Sequence, residues 1–260
     1  MAELIHKTAV IARGAELGAD VEVGPFCVVG PKVRLGDRTK LVSHVSVDGR
    51  TTLGPDCAVY PFAAIGQPPQ DLKYQGEDTA IEIGAGNIIR ENVTIHRGSG
   101  GGGGLTQVGD SNFIMAYSHI AHDCHIGSHV IMANHATLAG HVTIEDHAVI
   151  SGLLGIHQNV TVGEYTMVGG MSRISNDVPP YVIVAGSEKP KLYGINSVGL
   201  KRNGFTDEEV STLKSAYKIL FRSKDTLEDA IKRVKADLTQ TRHIKHLLGF
   251  LETHKRGMYR

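Results

Sequence analysis

From Ile5 onward an aliphatic residue recurs at every sixth position: Ile5, Ile11, Leu17, Val23, Val29, Leu35, Leu41, Val47, Leu53, Val59 and Ile65, eleven positions without a miss. The same spacing returns at Ile83, Ile89 and Ile95, then runs unbroken from Val108 to Ile174. Amphipathic helices repeat about every 3.6 residues and half-buried strands about every 2. A strict period of six is neither. The chain is therefore a repeat structure before it is anything else.

The pattern resembles the hexapeptide repeat of the left-handed parallel β-helix, in which three hexapeptides close one triangular coil. The left hand comes from that resemblance, because parallel crossovers are ordinarily right-handed. In this frame the aliphatic residue points into the prism. A small or β-branched residue four positions on (Ala9, Val21, Cys27, Cys57, Ala63) fits near a corner. The glycine that often follows the aliphatic position (Gly18, Gly24, Gly30, Gly36, Gly54, Gly66) is expected to ease the turn. Two interruptions, at about 67–80 and about 98–105, are expected to leave the prism as loops. The second holds five consecutive glycines and is expected to stay flexible until something orders it.

The repeat stops at Asp177-Val-Pro-Pro180. Beyond it, Thr206-Asp-Glu-Glu209 is a capping box opening a helix to about 221, and further helices fit about 226–237 and about 241–252. The expected architecture is mainly β. A left-handed parallel β-helix fills residues 1–180, and a linker and small C-terminal α-helical domain fill 181–260.

Charge is balanced, 27 Lys/Arg against 27 Asp/Glu, but unevenly spread. Residues 181–260 carry 16 basic against 9 acidic side chains, and residues 1–180 carry 11 against 18. An acidic body with a basic tail disfavours a general nucleic-acid binder and suits one acidic partner or a phosphorylated ligand. No apolar run reaches the roughly 18 residues of a membrane span, and no leader pattern opens the sequence. Three cysteines without a Cys-x-x-Cys pair suit reduced thiols in the cytoplasm.

Nine of the 14 histidines fall between His96 and His157. Three hexapeptides per coil stack residues 18 apart in sequence at about 4.8 Å in space. Ile120, Leu138 and Ile156 then form one column, and the residues that follow bring His122, His141 and His157 to one corner of successive coils. His96 joins them if the glycine interruption replaces no hexapeptide. His125 falls outside that column, and His129, His135 and His147 read as surface or corner residues. A flat-faced prism usually associates, so a homotrimer with sites between subunits is expected.

More specific motifs accompany the repeat: Gln70-Asp-Leu-Lys-Tyr74, Thr94-Ile-His-Arg-Gly98, His119-Ile-Ala-His-Asp-Cys124, Ala139-Gly-His-Val142, Asp177-Val-Pro-Pro-Tyr181 and Gly199-Leu-Lys-Arg202. With these the chain resembles, over essentially its whole length, the bacterial acyl-carrier-protein–UDP-N-acetylglucosamine O-acyltransferases, which begin lipid A synthesis. The resemblance implies transfer of a 3-hydroxy fatty acyl group from the phosphopantetheine of acyl carrier protein to the 3-position of UDP-N-acetylglucosamine, with no further cofactor and no metal. It implies His122 as general base, Asp123 as the carboxylate orienting it and the Gly140 N–H as oxyanion donor. It sets Gln70, Asp71, Lys73, His96, His119, His141, His157 and Gln158 around the sugar and pyrophosphate. Asn196 and Arg202 of a neighbouring chain would reach the uridine diphosphate, and Gly170 would line the acyl channel. Val198 and Asn203 depart from the family pattern, which has an acidic residue and a second arginine there. The basic tail suits acyl carrier proteins, which are acidic.

Other readings remain on the residues alone. A different hexapeptide acyltransferase would form an amide on a 3-amino or 2-amino sugar, or use acetyl-CoA. A γ-type carbonic anhydrase, also a left-handed β-helix trimer, would hold zinc with three histidines. A basic helical tail and a glycine loop have no use in that reaction. A purely structural repeat would not need two loops aimed at a histidine column.

Overall fold

The computed structural model describes residues 4–253 and 257–259. Lys255, Arg256 and Arg260 of the basic tail lie outside the described residues. The six-residue repeat becomes short strands laid into three sheets of nine, eight and ten strands. Val10–Ile11, Glu16–Leu17 and Glu22–Val23 open the three faces in turn, and Val28–Val29 then pairs in parallel with Val10–Ile11. Each circuit of the chain is one triangular coil.

The aliphatic repeat positions fill the prism. Ile65, Ile95, Ile120, Leu138 and Ile156 stack in register, each almost wholly buried. Burying one such side chain contributes about 1.5–3 kcal/mol. The residue four positions on plugs the corner, as Cys27, Val33, Val45, Thr51, Cys57 and Ala63 all do from buried sites.

The glycines behave differently from expectation. Left-handed φ falls three residues after the repeat position, mostly on side-chain-bearing residues such as Asp20, Phe26, Arg38, His44, Asp56, Phe62, Asp123 and His141. Backbone bonds between coils hold these corners, as where the His141 N–H donates to the His122 carbonyl at 3.0 Å. Gly24 instead marks a close approach: a Cβ there would lie 1.8 Å from the Val42 carbonyl oxygen. Of the six glycines expected to ease turns, only Gly66 has a left-handed φ, at +78°.

The corners differ in chemistry. One is an apolar column that includes Phe26, His44, Phe62, Tyr117, His135, Leu153 and Met171, with Phe26–His44 and His44–Phe62 ring centres 4.9 and 5.0 Å apart. A second stacks His129, His147 and Tyr165 at 4.8 and 4.6 Å. The third carries Asp123, His141 and Asn159. Both excursions, 68–79 and 97–104, leave from this third corner.

The second excursion is not loose. Gly100–Gly102 form a 3₁₀ turn, and the Gly102 and Gly104 N–H groups donate to the Ser99 carbonyl at 3.1 and 3.0 Å. What orders it is the protein's own Asp123, as the site geometry shows.

The boundary expected at 180 falls inside the sheet. Val182–Ala185 pairs in parallel with Met167–Val168, and Lys191–Ile195 folds back antiparallel on it. Four helices follow: α1 (Ser197–Arg202), α2 (Asp207–Arg222), α3 (Leu227–Asp237) and α4 (Arg242–Thr253). The capping box forms, with the Glu209 N–H donating to Thr206 Oγ1 at 3.2 Å and the Thr206 N–H to the Glu209 carboxylate at 2.8 Å. Phe205 seats the helical domain on the second corner, 4.9 Å from the Tyr165 ring. Among the described residues no helix is long and apolar enough to cross a membrane.

Candidate active site

Residues 119–124 cross the third corner. Ile120 is fully buried, and strand alternation turns His119 to the opposite face. At the turn Asp123 takes φ +58°, a conformation that Asp tolerates better than most side chains. Its carboxylate is fully buried. His122 Nδ1–H donates to Asp123 Oδ2 at 2.8 Å. Ser99 adds two donors, its N–H at 3.0 Å from both carboxylate oxygens and its hydroxyl at 2.6 Å from Oδ2. Burial alone would push this carboxyl pKa up; the Ser99 and His122 hydrogen bonds, with His141 nearby, outweigh it and hold it below the ordinary value. Asp123 is an anion with donors arranged around it. His122 keeps Nε2 as its lone-pair atom, without a partner among the described residues.

Gly140 sits directly against that ring. A Cβ there would lie 2.6 Å from Cε1 and 2.7 Å from Nε2 of His122. The Gly140 N–H has no acceptor among the described residues. His141 stands edge-on to His122, with ring centres 5.1 Å apart and its Nε2 3.9 Å from Asp123 Oδ2.

His96, one coil earlier, meets His119 edge-on at 5.0 Å, and His119 Nδ1 lies 2.7 Å from Thr94 Oγ1. Burial pushes His96 down to about 4, helped by His119, His122 and Arg97. Burial chiefly, and His122 next, lower His119. Two neutral imidazoles suit hydrogen bonds to a polar ligand. His96 Nδ1 is buried without a partner, a polar atom of the kind a bound ligand completes. One coil beyond Gly140 and His141, His157 and Gln158 stand exposed at the same corner.

Gln70, Asp71 and Lys73 lie on the first excursion. Asp71 Oδ1 accepts the Lys73 N–H at 2.9 Å in a tight turn, leaving Gln70 and Lys73 exposed. Arg97 ties this excursion to the coil, donating to the Gly66 carbonyl at 2.8 Å and to the Tyr74 hydroxyl at 3.1 Å. His122, Asp123 and His141 also offer potential metal-ligand atoms within 4.8 Å of one another. The Asp123 oxygens are already engaged by Ser99 and His122, so the group fits a metal poorly.

Residues 105–140 match the family model described as bacterial transferase hexapeptide (six repeats). Residues 177–259 match the one described as UDP N-acetylglucosamine O-acyltransferase, domain 2. The chain is 56% identical over 256 residues to the acyl-[acyl-carrier-protein]–UDP-N-acetylglucosamine O-acyltransferase of Thermodesulfovibrio yellowstonii, covering 98% of this chain and 99% of that one. The chain belongs to this acyltransferase family. The protein of the same name from Syntrophobacter fumaroxidans is 46% identical over the same shares of the two chains. The solved UDP-N-acetylglucosamine O-acyltransferase of Moraxella catarrhalis superposes with a TM-score of 0.94 at 39% identity, covering 99% of this chain and 100% of that one. The β-helix is the left-handed one of this acyltransferase family.

In this family member the remaining candidates fall on other corners. Gly170 is exposed at the apolar corner, stacked on Gly152. Asn196 is buried beside the second corner, and both ends of its amide are used: Oδ1 accepts the Gly199 N–H at 3.1 Å and Nδ2 donates to the Tyr165 carbonyl at 2.9 Å. It caps α1, and each end of its amide keeps one further hydrogen-bonding position beyond these two bonds. Arg202 is exposed in the last turn of α1. Asn203 caps the other end, donating to the Gly199 carbonyl at 2.8 Å, while Val198 stands exposed. One chain therefore spreads His122, Gly170 and Arg202 over three corners. The sequence reading missed Ser99 and Thr94 as partners of site residues. Ser99 lies inside an interruption, where counting by six gives no register.

Proposed function

We propose that this protein transfers a 3-hydroxy fatty acyl group from acyl carrier protein to the 3-hydroxyl of UDP-N-acetylglucosamine, the first step of lipid A synthesis. The observation carrying the reading is the His122–Asp123 pair, joined at 2.8 Å with its carboxylate buried and the Gly140 backbone against the ring. A sugar hydroxyl attacks poorly until its proton is removed. His122 Nε2 takes that proton as the oxygen attacks the thioester carbonyl, and Asp123 stabilises the imidazolium. The Gly140 N–H donates to the tetrahedral oxyanion. Collapse breaks the C–S bond, and His122 returns the proton to the phosphopantetheine sulfur. An ester and a free carrier thiol result, and the carrier itself supplies the activated acyl group.

His96, His119, His141, His157 and Gln158, with Gln70, Asp71 and Lys73, surround the sugar and pyrophosphate. Arg202 for the diphosphate and Gly170 for the acyl chain come from neighbouring copies, because one chain holds them on other corners. This requires a homotrimer with a site at each boundary. The exposed apolar column of Phe26, Phe62, Tyr117, Leu153 and Met171 supports it. The basic tail docks the acidic carrier, and a cytoplasmic location agrees with three buried free cysteines.

Mass spectrometry of the product from UDP-N-acetylglucosamine and a mixture of acyl carriers is expected to show a 3-O-acyl ester. His122→Ala is expected to lose at least about 100-fold in kcat. Turnover with acetyl-CoA in place of acyl carrier protein would overturn the reading, as would a His122→Ala variant keeping more than about a tenth of the activity.

A further inference from the structure

We infer that Ser99 is a positioning residue for the acyl transfer: its hydroxyl and its backbone N–H hold the Asp123 carboxylate aimed at His122, and the glycine excursion is folded to bring Ser99 there. The inference rests on His122 being the base.

A buried carboxylate is costly unless donors surround it. Of the donors on Asp123, one belongs to His122, whose charge changes during each turnover. Among the described residues the others all come from Ser99, which is itself 97% buried, at 2.6 and 3.0 Å. The Asp123 N–H donates at 2.8 Å to Thr106 Oγ1, which fixes the backbone and leaves the carboxylate free to turn. His141 Nε2, 3.9 Å from Oδ2, is the competing direction. Ser99 therefore decides which imidazole the carboxylate serves.

The excursion is shaped for this task. Its 3₁₀ turn begins at Ser99 and closes on the Ser99 carbonyl through the Gly102 and Gly104 N–H groups. A Cβ at Gly102 would lie 2.2 Å from the Asp123 carboxylate and 2.5 Å from His141 Cε1. Glycine is required there because the turn lies directly over the acid. Among the described residues the titratable groups facing Asp123 are His122, His141 and the Cys124 thiol, which burial pushes up to about 12, and the turn covers the remaining side. Removing a donor from the carboxylate raises the proton affinity of the His122–Asp123 pair. The acid limb of the rate profile then moves to higher pH.

The test measures kcat, KM for both substrates, the pH dependence of kcat and the thermal midpoint for Ser99→Ala, Ser99→Thr, Gly102→Ala and His122→Ala. Ser99→Ala is expected to lower kcat about 10- to 100-fold, with KM within about twofold and the acid limb moved up. Ser99→Thr restores the hydroxyl and is expected to recover both. Gly102→Ala keeps Ser99 but lifts the turn off the acid, so the same upward shift is expected. An unchanged kcat and acid limb in Ser99→Ala, with His122→Ala inactive, overturns this inference alone. Activity retained by His122→Ala overturns the base assignment instead. Ser99→Thr no better than Ser99→Ala, at an intact thermal midpoint, also overturns the role given to the Ser99 hydroxyl.

Discussion

At Gly140 the backbone and the imidazole occupy nearly the same space that a methyl group would take. Its φ lies outside the left-handed region, so alanine is acceptable to the backbone and the cost falls on the ring. Gly140→Ala is expected to lower kcat about 100-fold through displacement of His122, with little change in thermal midpoint; a variant of normal kcat would mean the ring can shift without loss. This pairing was legible in the sequence, because His122 and Gly140 are eighteen apart inside a region of unbroken register. Asn196 shows the limit of such reading. An amide beside a helix start suits both a cap and a ligand contact, and the bonds to Gly199 and Tyr165 that make it the cap come from the fold, not from any spacing in the repeat.

The elements of the helical domain meet the prism through histidines that the repeat pattern did not single out. His246 Nε2 lies 2.8 Å from Glu145 and 4.0 Å from Glu164 on the coils. The hydrogen bond to Glu145 raises its pKa, with both carboxylates adding attraction, while burial and Arg242 oppose. A raised folded value means the contact stabilises fully below the unfolded value of about 6.5 and is lost as pH rises through the folded value. Neighbouring His243 is lowered chiefly by burial, so its contribution falls away on acidification instead. Replacing His246 with Gln is expected to flatten the decline of the thermal midpoint above about pH 6.5, read by calorimetry in buffers on either side. An equally steep decline in the variant would assign that pH dependence to other groups. The three longer helices were readable from caps and apolar stripes. The hairpin of Val182–Ala185 and Lys191–Ile195 was not: Pro179 and Pro180 break the count just before it, and its last strand runs antiparallel.

For the molecule as a whole, one chain holds His122, Gly170 and Arg202 on three different corners, and the proposed site would need them from neighbouring copies. Mixing His122→Ala chains with Arg202→Ala chains, each nearly inactive alone, is expected to restore roughly a quarter of the sites when the two are unfolded and reassembled in equal amounts. No recovery in mixed trimers would place His122 and Arg202 at one site from the same copy. The coils themselves were legible because each inward position depends only on its own hexapeptide and the ones stacked on it. Partnership between copies leaves no such period. The same eighteen-residue circuit has an evolutionary consequence. Between Val108 and Ile174 an inserted residue displaces every later side chain from its face, so length there can change only by whole coils. The chain leaves the prism at 68–79 and 97–104, where an added residue leaves the stacked positions in place. The candidate catalytic corner is thus the one both excursions leave from, yet its own spacing cannot take a single added residue.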